Sequence, residues 1–184
     1  MPLNPVRYHR AAVQAARDTI VEHLAGGLGP WDQIADGRGE LGMIPIYSMP
    51  VRRLAARQWN KGWRSGWRYF WTHPALDRGI VVEVLRVGNR RARLASLSVG
   101  MAALYLRDEL AVLENRYATD KRRYRPRILR LPWIGMEAIW LNTDSLRITD
   151  RFYSRLDDMT GNDFRDLAVA RANEFLGRPA GGSG

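Results

Sequence analysis

The most regular pattern in the chain is a tryptophan at every fourth position of one stretch, at Trp59, Trp63, Trp67 and Trp71. On an α-helix a step of four residues drifts by only about 40°, so the four indoles would form one slowly rotating stripe. Basic residues at helical spacing would lie together on the opposite side, at Arg57, Lys61, Arg64 and Arg68. The pattern predicts a helix with aromatic rings on one side and positive charge on the other.

The residues around this stretch set the bounds of the predicted helix. A serine followed by a proline precedes it, as at a helix start, and a His-Pro pair ends it, so the helix should span about residues 50–71. Gly62 and Gly66 each disfavour a helix by about 1 kcal/mol. The alternative is a break near Gly62, with Trp67–Trp71 extended.

After this stretch the hydrophobic period changes to two. Two alternating runs and the turn between them predict a β-hairpin, over residues 80–87, Gly88-Asn89 and residues 90–98. In a register with a two-residue turn, Arg86 faces Arg91, and Arg93 lies on the same side. Like charges directly opposite each other are destabilising. The hairpin tip is therefore predicted to be a basic patch that faces solvent or an anion.

The remaining periodic segments complete the fold prediction. Helices are predicted at about residues 5–25, 101–117 and 163–175, and strands at 128–141 (bent at Pro132 and Gly135) and 146–152. The last two strands would form a second hairpin. The predicted class is α+β: an antiparallel sheet of four or more strands built from two hairpins, with about four helices packed mainly on one face. It would form a single domain over residues 1–176, followed by a flexible Gly-rich tail or linker at 177–184.

A glycine pattern in the predicted loop at residues 29–42 matches G-x-G-x-x-G at Gly37, Gly39 and Gly42. In a dinucleotide site this pattern follows a strand and opens a helix. Here no apolar strand precedes it, and Pro45 disfavours a helix after it. We therefore predict no cofactor.

The amino-acid composition limits the structural features and the cellular location that we expect for this protein. The 184 residues are 46% hydrophobic, which is enough for a sizeable core, and none is cysteine. The absence of cysteine excludes disulfides, cysteine zinc sites and thiol catalysis, and it fits a reducing compartment. The N-terminus lacks the apolar region of a signal peptide, and no stretch of 18 residues is uncharged and apolar. These features predict a cytoplasmic protein without a transmembrane segment.

The positive charge is large and uneven. The formal net charge is +10, and residues 50–130 hold 19 Lys and Arg against 6 Asp and Glu. All but two of the 29 basic residues are arginine, whose planar guanidinium grips phosphate or carboxylate. A GC-rich genome is the alternative cause of this bias. The charge indicates an anionic partner.

Candidate catalytic groups are few. His9, His23 and His73 are too scattered to chelate one metal ion, and no hydrolase, zincin or Walker motif appears. Glu137 is the best single candidate, because the strand prediction places it on a face with apolar neighbours, at Leu131, Trp133, Ile139 and Leu141. The alternative is that an arginine pairs with Glu137, and Glu83 on the first hairpin has the same two interpretations.

The tryptophan stripe has three interpretations. The indoles could pack in the core, lie on a membrane surface, or stack on bases while arginines hold phosphates. The second has the least support, because the first and last helices look like partners in a globular core.

The leading hypothesis is a non-enzymatic basic protein that binds nucleic acid. Its predicted contacts are Arg64, Arg68, Arg86, Arg91, Arg93, Arg122, Arg123 and Arg125 to phosphates, with Trp67 or Tyr124 stacking on bases. The alternative is a protein–protein adaptor or structural subunit that docks an acidic partner. A third hypothesis is an enzyme that uses Glu137 as a buried carboxylate. None of the three requires a metal ion.

Overall fold

The computed structural model describes residues 14, 16, 18–22, 40–59, 62–74, 76–87, 91–119, 124–143, 151–154, 159–160 and 162–177. The chain divides into two compact units, each made of two stretches of sequence. Unit 1 contains Met1–Pro45 and Gly66–Asp120, and unit 2 contains Ile46–Ser65 and Lys121–Gly184. Each unit has its own hydrophobic core. The single domain over residues 1–176 stays a prediction.

The fold is mixed α+β. The strands are β1 (Glu40–Ser48), β2 (Trp63–Thr72), β3 (Gly79–Val87), β4 (Arg91–Gly100), β5 (Tyr124–Leu131), β6 (Met136–Thr143), β7 (Arg151–Ser154) and β8 (Met159–Thr160). The helices are α1 (Val51–Ala55), α2 (Ala102–Arg116) and α3 (Asn162–Phe175), and a 3₁₀ turn spans Pro132–Ile134. Residues 14, 16 and 18–22 are also helical, and the rest of the predicted first helix lies outside the described residues. Most of the predicted loop at 29–42 and the tail after Gly177 also lie outside the described residues.

The predicted helix over residues 50–71 is wrong, and the alternative break near Gly62 is confirmed. Only the five residues of α1 are helical, and β2 begins at Trp63. The helix ends because Arg57 adopts a left-handed conformation, with φ of 55°, which redirects the chain after one turn. A step of four residues also stays on one face of a strand, so the tryptophan spacing suits β2 as well as it suits a helix.

The first predicted hairpin is confirmed as β3 and β4, with a different register. Val87 pairs with Arg91, so three residues lie between the paired strands where two were predicted. Arg86 therefore pairs with Ala92, and the predicted pairing of Arg86 with Arg91 is wrong. The register shifts again between Glu83 and Val84, where β4 carries one extra residue, a β-bulge.

Unit 1 buries both faces of a sheet formed, in this order, by β4, β3, most of β2 and residues 40–45 of β1. One face lies under Ala16 and Ile20 and carries Trp67, Tyr69, Trp71, Ile80, Val82 and Val84. The other face contacts α2 through Phe70, Val81, Ala103, Leu106 and Leu110. Helical residues therefore cover both faces, where the sequence predicted one.

Gly66 allows β2 and β3 to approach each other closely. A Cβ at this position would lie 2.4 Å from the carbonyl oxygen of Val84 and 3.2 Å from the Cα of Leu85. Both contacts are to backbone, so a side chain at position 66 would push the strands apart. Gly66 disfavours a helix, and it is required for the close pairing of β2 with β3.

In unit 2, residues 46–48 of β1 are followed in the sheet by β5, β6, β7 and β8. β1 runs parallel to β5, with Ile46 paired to Ile128, whereas β5–β6, β6–β7 and β7–β8 are antiparallel. The purely antiparallel sheet predicted from two hairpins is therefore wrong. Parallel neighbours need a long connection, and no local pattern in the sequence indicates such a pairing.

The predicted long strand at residues 128–141 is two strands. The chain folds back through the 3₁₀ turn and through Gly135, whose φ of 65° is left-handed, and β5 then pairs with β6. One face of these strands packs against α1 and α3, through Leu54, Leu129, Trp140, Phe164 and Ala168. α3 confirms the last predicted helix, and no helix in the described residues is long and apolar enough to cross a membrane.

Candidate anion-binding surface

Two of the predicted contact residues cannot stack on bases. Trp67 is 2% exposed and Tyr124 is 1% exposed, so the faces of both rings are covered by protein. Trp71 is also buried, while Trp63 on the same face of β2 is 49% exposed. The core interpretation of the stripe is therefore confirmed at Trp67 and Trp71, and the stacking roles of Trp67 and Tyr124 are wrong.

The core beside these indoles contains a buried polar group, the hydroxyl of Tyr69. Tyr69 lies between Trp67 and Trp71 on one face of β2, and its buried hydroxyl has no hydrogen-bond partner among the residues that the structure describes. Burial raises the pKa of this phenol above its usual value of 10.0. A hydroxyl desolvated without a partner costs about 1–3 kcal/mol.

Tyr69→Phe is therefore expected to raise the free energy of unfolding by about 1 kcal/mol, because it removes the desolvated hydroxyl and keeps the ring. Because burial raises the pKa of the folded state, ionisation of the phenol favours the unfolded state, so stability falls as the pH rises above the usual pKa. Wild type should lose stability above pH 10.0 more steeply than the variant. Urea denaturation at neutral and alkaline pH measures both effects. Equal or lower stability of the variant at neutral pH would show that the hydroxyl is satisfied.

Arg68 is occupied by a carboxylate within unit 1. It pairs with Glu83 directly across the β2–β3 ladder, with an Nη2–Oε1 distance of 2.6 Å and an Nε–Oε1 distance of 2.8 Å. Both side chains are less than one-fifth exposed. The paired interpretation of Glu83 is confirmed, and Arg68 is a weak candidate for contact with phosphate.

Glu137 is paired in the same way in unit 2. Its Oε2 accepts a hydrogen bond from Nε of Arg130 at 2.8 Å, across the β5–β6 ladder, and its side chain is 31% exposed. The predicted grouping with Leu131 and Trp133 is wrong, because the chain folds back between these residues and Glu137. The arginine-paired alternative is confirmed, which favours a structural role for this carboxylate over a catalytic one. Among the described residues, no group of three His, Asp or Glu could hold a metal ion.

The first hairpin does not present one basic patch. Arg93 pairs with Leu85 and Arg86 pairs with Ala92, so the two arginines lie on opposite faces of the sheet. Both side chains are exposed. Position 91 lies opposite Val87, and its side chain is outside the described part of the chain, as are Arg122 and Arg123.

One of the predicted arginines, Arg64, meets an aromatic ring of unit 2 that also contacts Arg127, and a second, Arg125, lies on the same face of β5 as Arg127. The Cζ of Arg127 lies 4.6 Å from the ring centroid of Tyr47 and 5.1 Å from that of Trp140. The two rings meet edge to face at 5.6 Å, and the Cζ of Arg64 lies 6.0 Å from the Tyr47 ring. Arg125 is two residues before Arg127, so it lies on the same face of β5.

We call these five residues the arginine–aromatic cluster: Arg64, Arg125, Arg127, Tyr47 and Trp140. Cation–π contact of this kind contributes about 0.5–2 kcal/mol and holds a guanidinium in a defined orientation. Trp140 is buried, and the other four residues are half-buried. The rings therefore support the arginines from within, and the donor edges of the guanidinium groups are the parts suited to an anion.

The net charge of the protein is concentrated in the unit that contains this cluster. Unit 2 holds 17 Lys and Arg against 8 Asp and Glu, a net charge of +9. Unit 1 holds 12 against 11, a net charge of +1, which together account for the total of +10. Positive potential is therefore a property of unit 2.

Sequence reasoning missed Tyr47, Arg127 and Trp140 because their contacts depend on long-range pairing. Arg127 and Trp140 are directly opposite each other on β5 and β6, which the sequence prediction merged into one strand. Tyr47 arrives through the parallel pairing of β1 with β5. The one local signal was the spacing of Arg125, Arg127 and Leu129. These residues are two apart, as on one face of a strand, which would have placed the two arginines together.

No protein-family model, no curated protein and no solved structure matches this chain.

Proposed function

We propose that this chain is a non-enzymatic basic protein that binds an anionic partner, nucleic acid first, through the arginine–aromatic cluster of unit 2. The observation that carries the proposal is the coincidence of this cluster with a unit whose net charge is +9. Guanidinium groups held on aromatic rings are oriented for bidentate contact with phosphate. The predicted cytoplasmic location is compatible with such a partner and stays a prediction.

The geometry favours recognition of the phosphate backbone over recognition of bases. The ring of Trp140 is buried, and the guanidinium groups of Arg64 and Arg127 lie over the ring of Tyr47, so both rings are already in contact with other side chains. Contacts to phosphate position a nucleic acid without reading its sequence. We therefore expect binding with little preference among sequences.

Binding to a fluorescein-labelled oligonucleotide of mixed sequence is expected to weaken steeply with salt. If the three cluster arginines each neutralise one phosphate of a single strand, the plot of log K against log salt should have a slope of about −2, and further contacts would steepen it. Fluorescence anisotropy at several salt concentrations measures the slope. An oligonucleotide of the same sequence with an uncharged backbone is the matched control and should not bind. Failure to bind the charged strand at low salt would overturn the proposal.

A protein partner is the second candidate, and a separate surface of unit 2 favours it. Trp133 and Phe175 are 59% and 54% exposed, with ring centroids 6.1 Å apart. They line a shallow concavity of about 430 Å³ together with Ile134, Arg171 and Glu174. Exposed tryptophan and arginine are typical of protein interfaces. A purified protein that lacks nucleic acid by its A260/A280 ratio, and that does not bind the oligonucleotide at low salt, would favour this adaptor role.

A further inference from the structure

The outer strand of unit 1 has an exposed edge. β4 is the last strand in the order of this sheet, and no strand among the described residues pairs with its outer side. Six of its residues are exposed, at Arg93, Leu94, Ala95, Ser96, Ser98 and Val99. The apolar side chains Leu94 and Val99 are 46% and 40% exposed. An edge of this length offers a row of backbone donors and acceptors to another strand.

The β-bulge in β4 keeps the apolar side chains of this strand on one face of the sheet and the polar side chains on the other. Ala92, Leu94, Leu97 and Val99 pair with Arg86, Val84, Val82 and Ile80, so they all lie on the tryptophan face of the sheet. Arg93, Ser96 and Ser98 pair with Leu85, Glu83 and Val81, so they lie on the α2 face. Without the extra residue between Leu94 and Leu97, one half of the strand would present its apolar residues on the opposite face. The strand therefore has one apolar and one polar face along its whole length.

We propose that the occupant of this edge is the β4 strand of a second copy of this chain, paired antiparallel across a two-fold axis. Directly opposite residues of two antiparallel strands lie on the same face of a sheet. The register that places Leu94 opposite Leu97 also places Ala92 opposite Val99 and Arg93 opposite Ser98. Each pair occurs twice, as two-fold symmetry requires.

Two features favour this register over the alternatives. It matches the apolar and polar faces of the two strands, and it keeps their arginines apart. A shift by one residue would place Leu94 opposite a serine of the polar face, which breaks the match between apolar and polar faces. Parallel pairing in register would place arginine directly opposite arginine, which is destabilising. In the proposed register, position 91 faces Gly100 and Arg93 faces a serine, so the basic half of each strand lies against the neutral half of the other. Arginine on an edge usually discourages strand addition, and here it discourages the alternative registers.

Engineered cysteines test the register directly, because the protein has no cysteine of its own. An equimolar mixture of Arg93→Cys and Ser98→Cys should form a disulfide-linked heterodimer under mild oxidation, and neither variant alone should do so efficiently. Residues directly opposite have Cβ atoms about 4.5–5.5 Å apart, close to the separation of roughly 3.5–4.5 Å that a disulfide requires.

Arg93→Cys mixed with Ser96→Cys is the matched control, since both positions lie on the same face but are two residues out of register. Their separation of roughly 7–8 Å should give little of the mixed 93–96 heterodimer, which is the only product compared because Ser96 lies beside its own copy at the two-fold axis. Sedimentation equilibrium of the wild-type chain should show a monomer–dimer equilibrium. A monomer at every concentration, or equal yields of the 93–98 and 93–96 heterodimers, would overturn the proposal. Because β4 belongs to unit 1, this result is independent of nucleic-acid binding by unit 2.

Discussion

Replacing Arg64 and Arg125 together by glutamine is expected to weaken nucleic-acid binding by about 10- to 100-fold. Each contact that is lost costs about 0.5–1.5 kcal/mol, part of which is counterion release. The salt dependence should change as well, with the magnitude of the slope falling by about 1.4 for a single strand because two phosphates are no longer neutralised. Glutamine keeps much of the length and hydrogen-bonding capacity of the side chain and removes its charge.

The matched control is the double variant Arg86→Gln and Arg93→Gln. It removes the same two charges from unit 1, where both side chains are exposed and lie on opposite faces. Binding should fall by less than about threefold if contact is confined to unit 2, since only the long-range field changes. Circular dichroism of both variants establishes that they fold. An equal loss in the two double variants would mean that overall charge, and not the arginine–aromatic cluster, determines binding.

Arg127 is less suitable for this test because its guanidinium packs on Tyr47 and on the buried Trp140. Replacing it would remove packing as well as charge. Arg64 and Arg125 lie at the margin of the cluster, so their loss leaves the pair of rings and the central arginine in place.

Trp67→Ala is expected to lower the free energy of unfolding by about 3–5 kcal/mol. The indole is 2% exposed and packs in the core of unit 1, so truncation removes apolar contact and leaves a cavity. This loss is comparable with the whole stability of many domains. Trp67→Phe is the milder variant if the alanine variant does not fold. Urea denaturation followed by circular dichroism measures the change.

Trp63→Ala is the matched control for this prediction. The two positions carry the same residue type on the same face of β2, but Trp63 is 49% exposed. Its truncation should cost less than about 1 kcal/mol, as is usual for surface positions. If Trp67→Ala left stability unchanged and abolished nucleic-acid binding, Trp67 would be a contact residue and the core assignment would fail.

Local periodicity predicted several elements well. The alternation at residues 80–98 predicted β3 and β4, and the spacing of Leu106, Leu110 and Leu113 predicted the buried side of α2. These elements form because each has an apolar face with an unambiguous period, and neighbouring turns supply the reversal of direction. The exact register was not predictable, since it depends on a three-residue connection and a bulge.

The tryptophan stretch shows where periodicity is ambiguous. A step of four residues keeps side chains together on a helix, and it also keeps them on one face of a strand because four is a multiple of two. The aromatic residues that fill the positions between the tryptophans, Tyr69 and Phe70, favour a strand. Gly66 distinguishes a strand from a helix only in the folded sheet, where the carbonyl oxygen of Val84 leaves no room for a Cβ at position 66.

By itself, the sequence determined the mixed α+β class, the absence of disulfides and the excess of arginine that indicates an anionic partner. Only the tertiary structure decided which groups each of these arginines contacts. Arg68 and Arg130 lie opposite carboxylates, whereas Arg64 and Arg127 meet on Tyr47. The physical reason is that each of these contacts joins strands distant in sequence, so it depends on pairing and burial that no local pattern encodes.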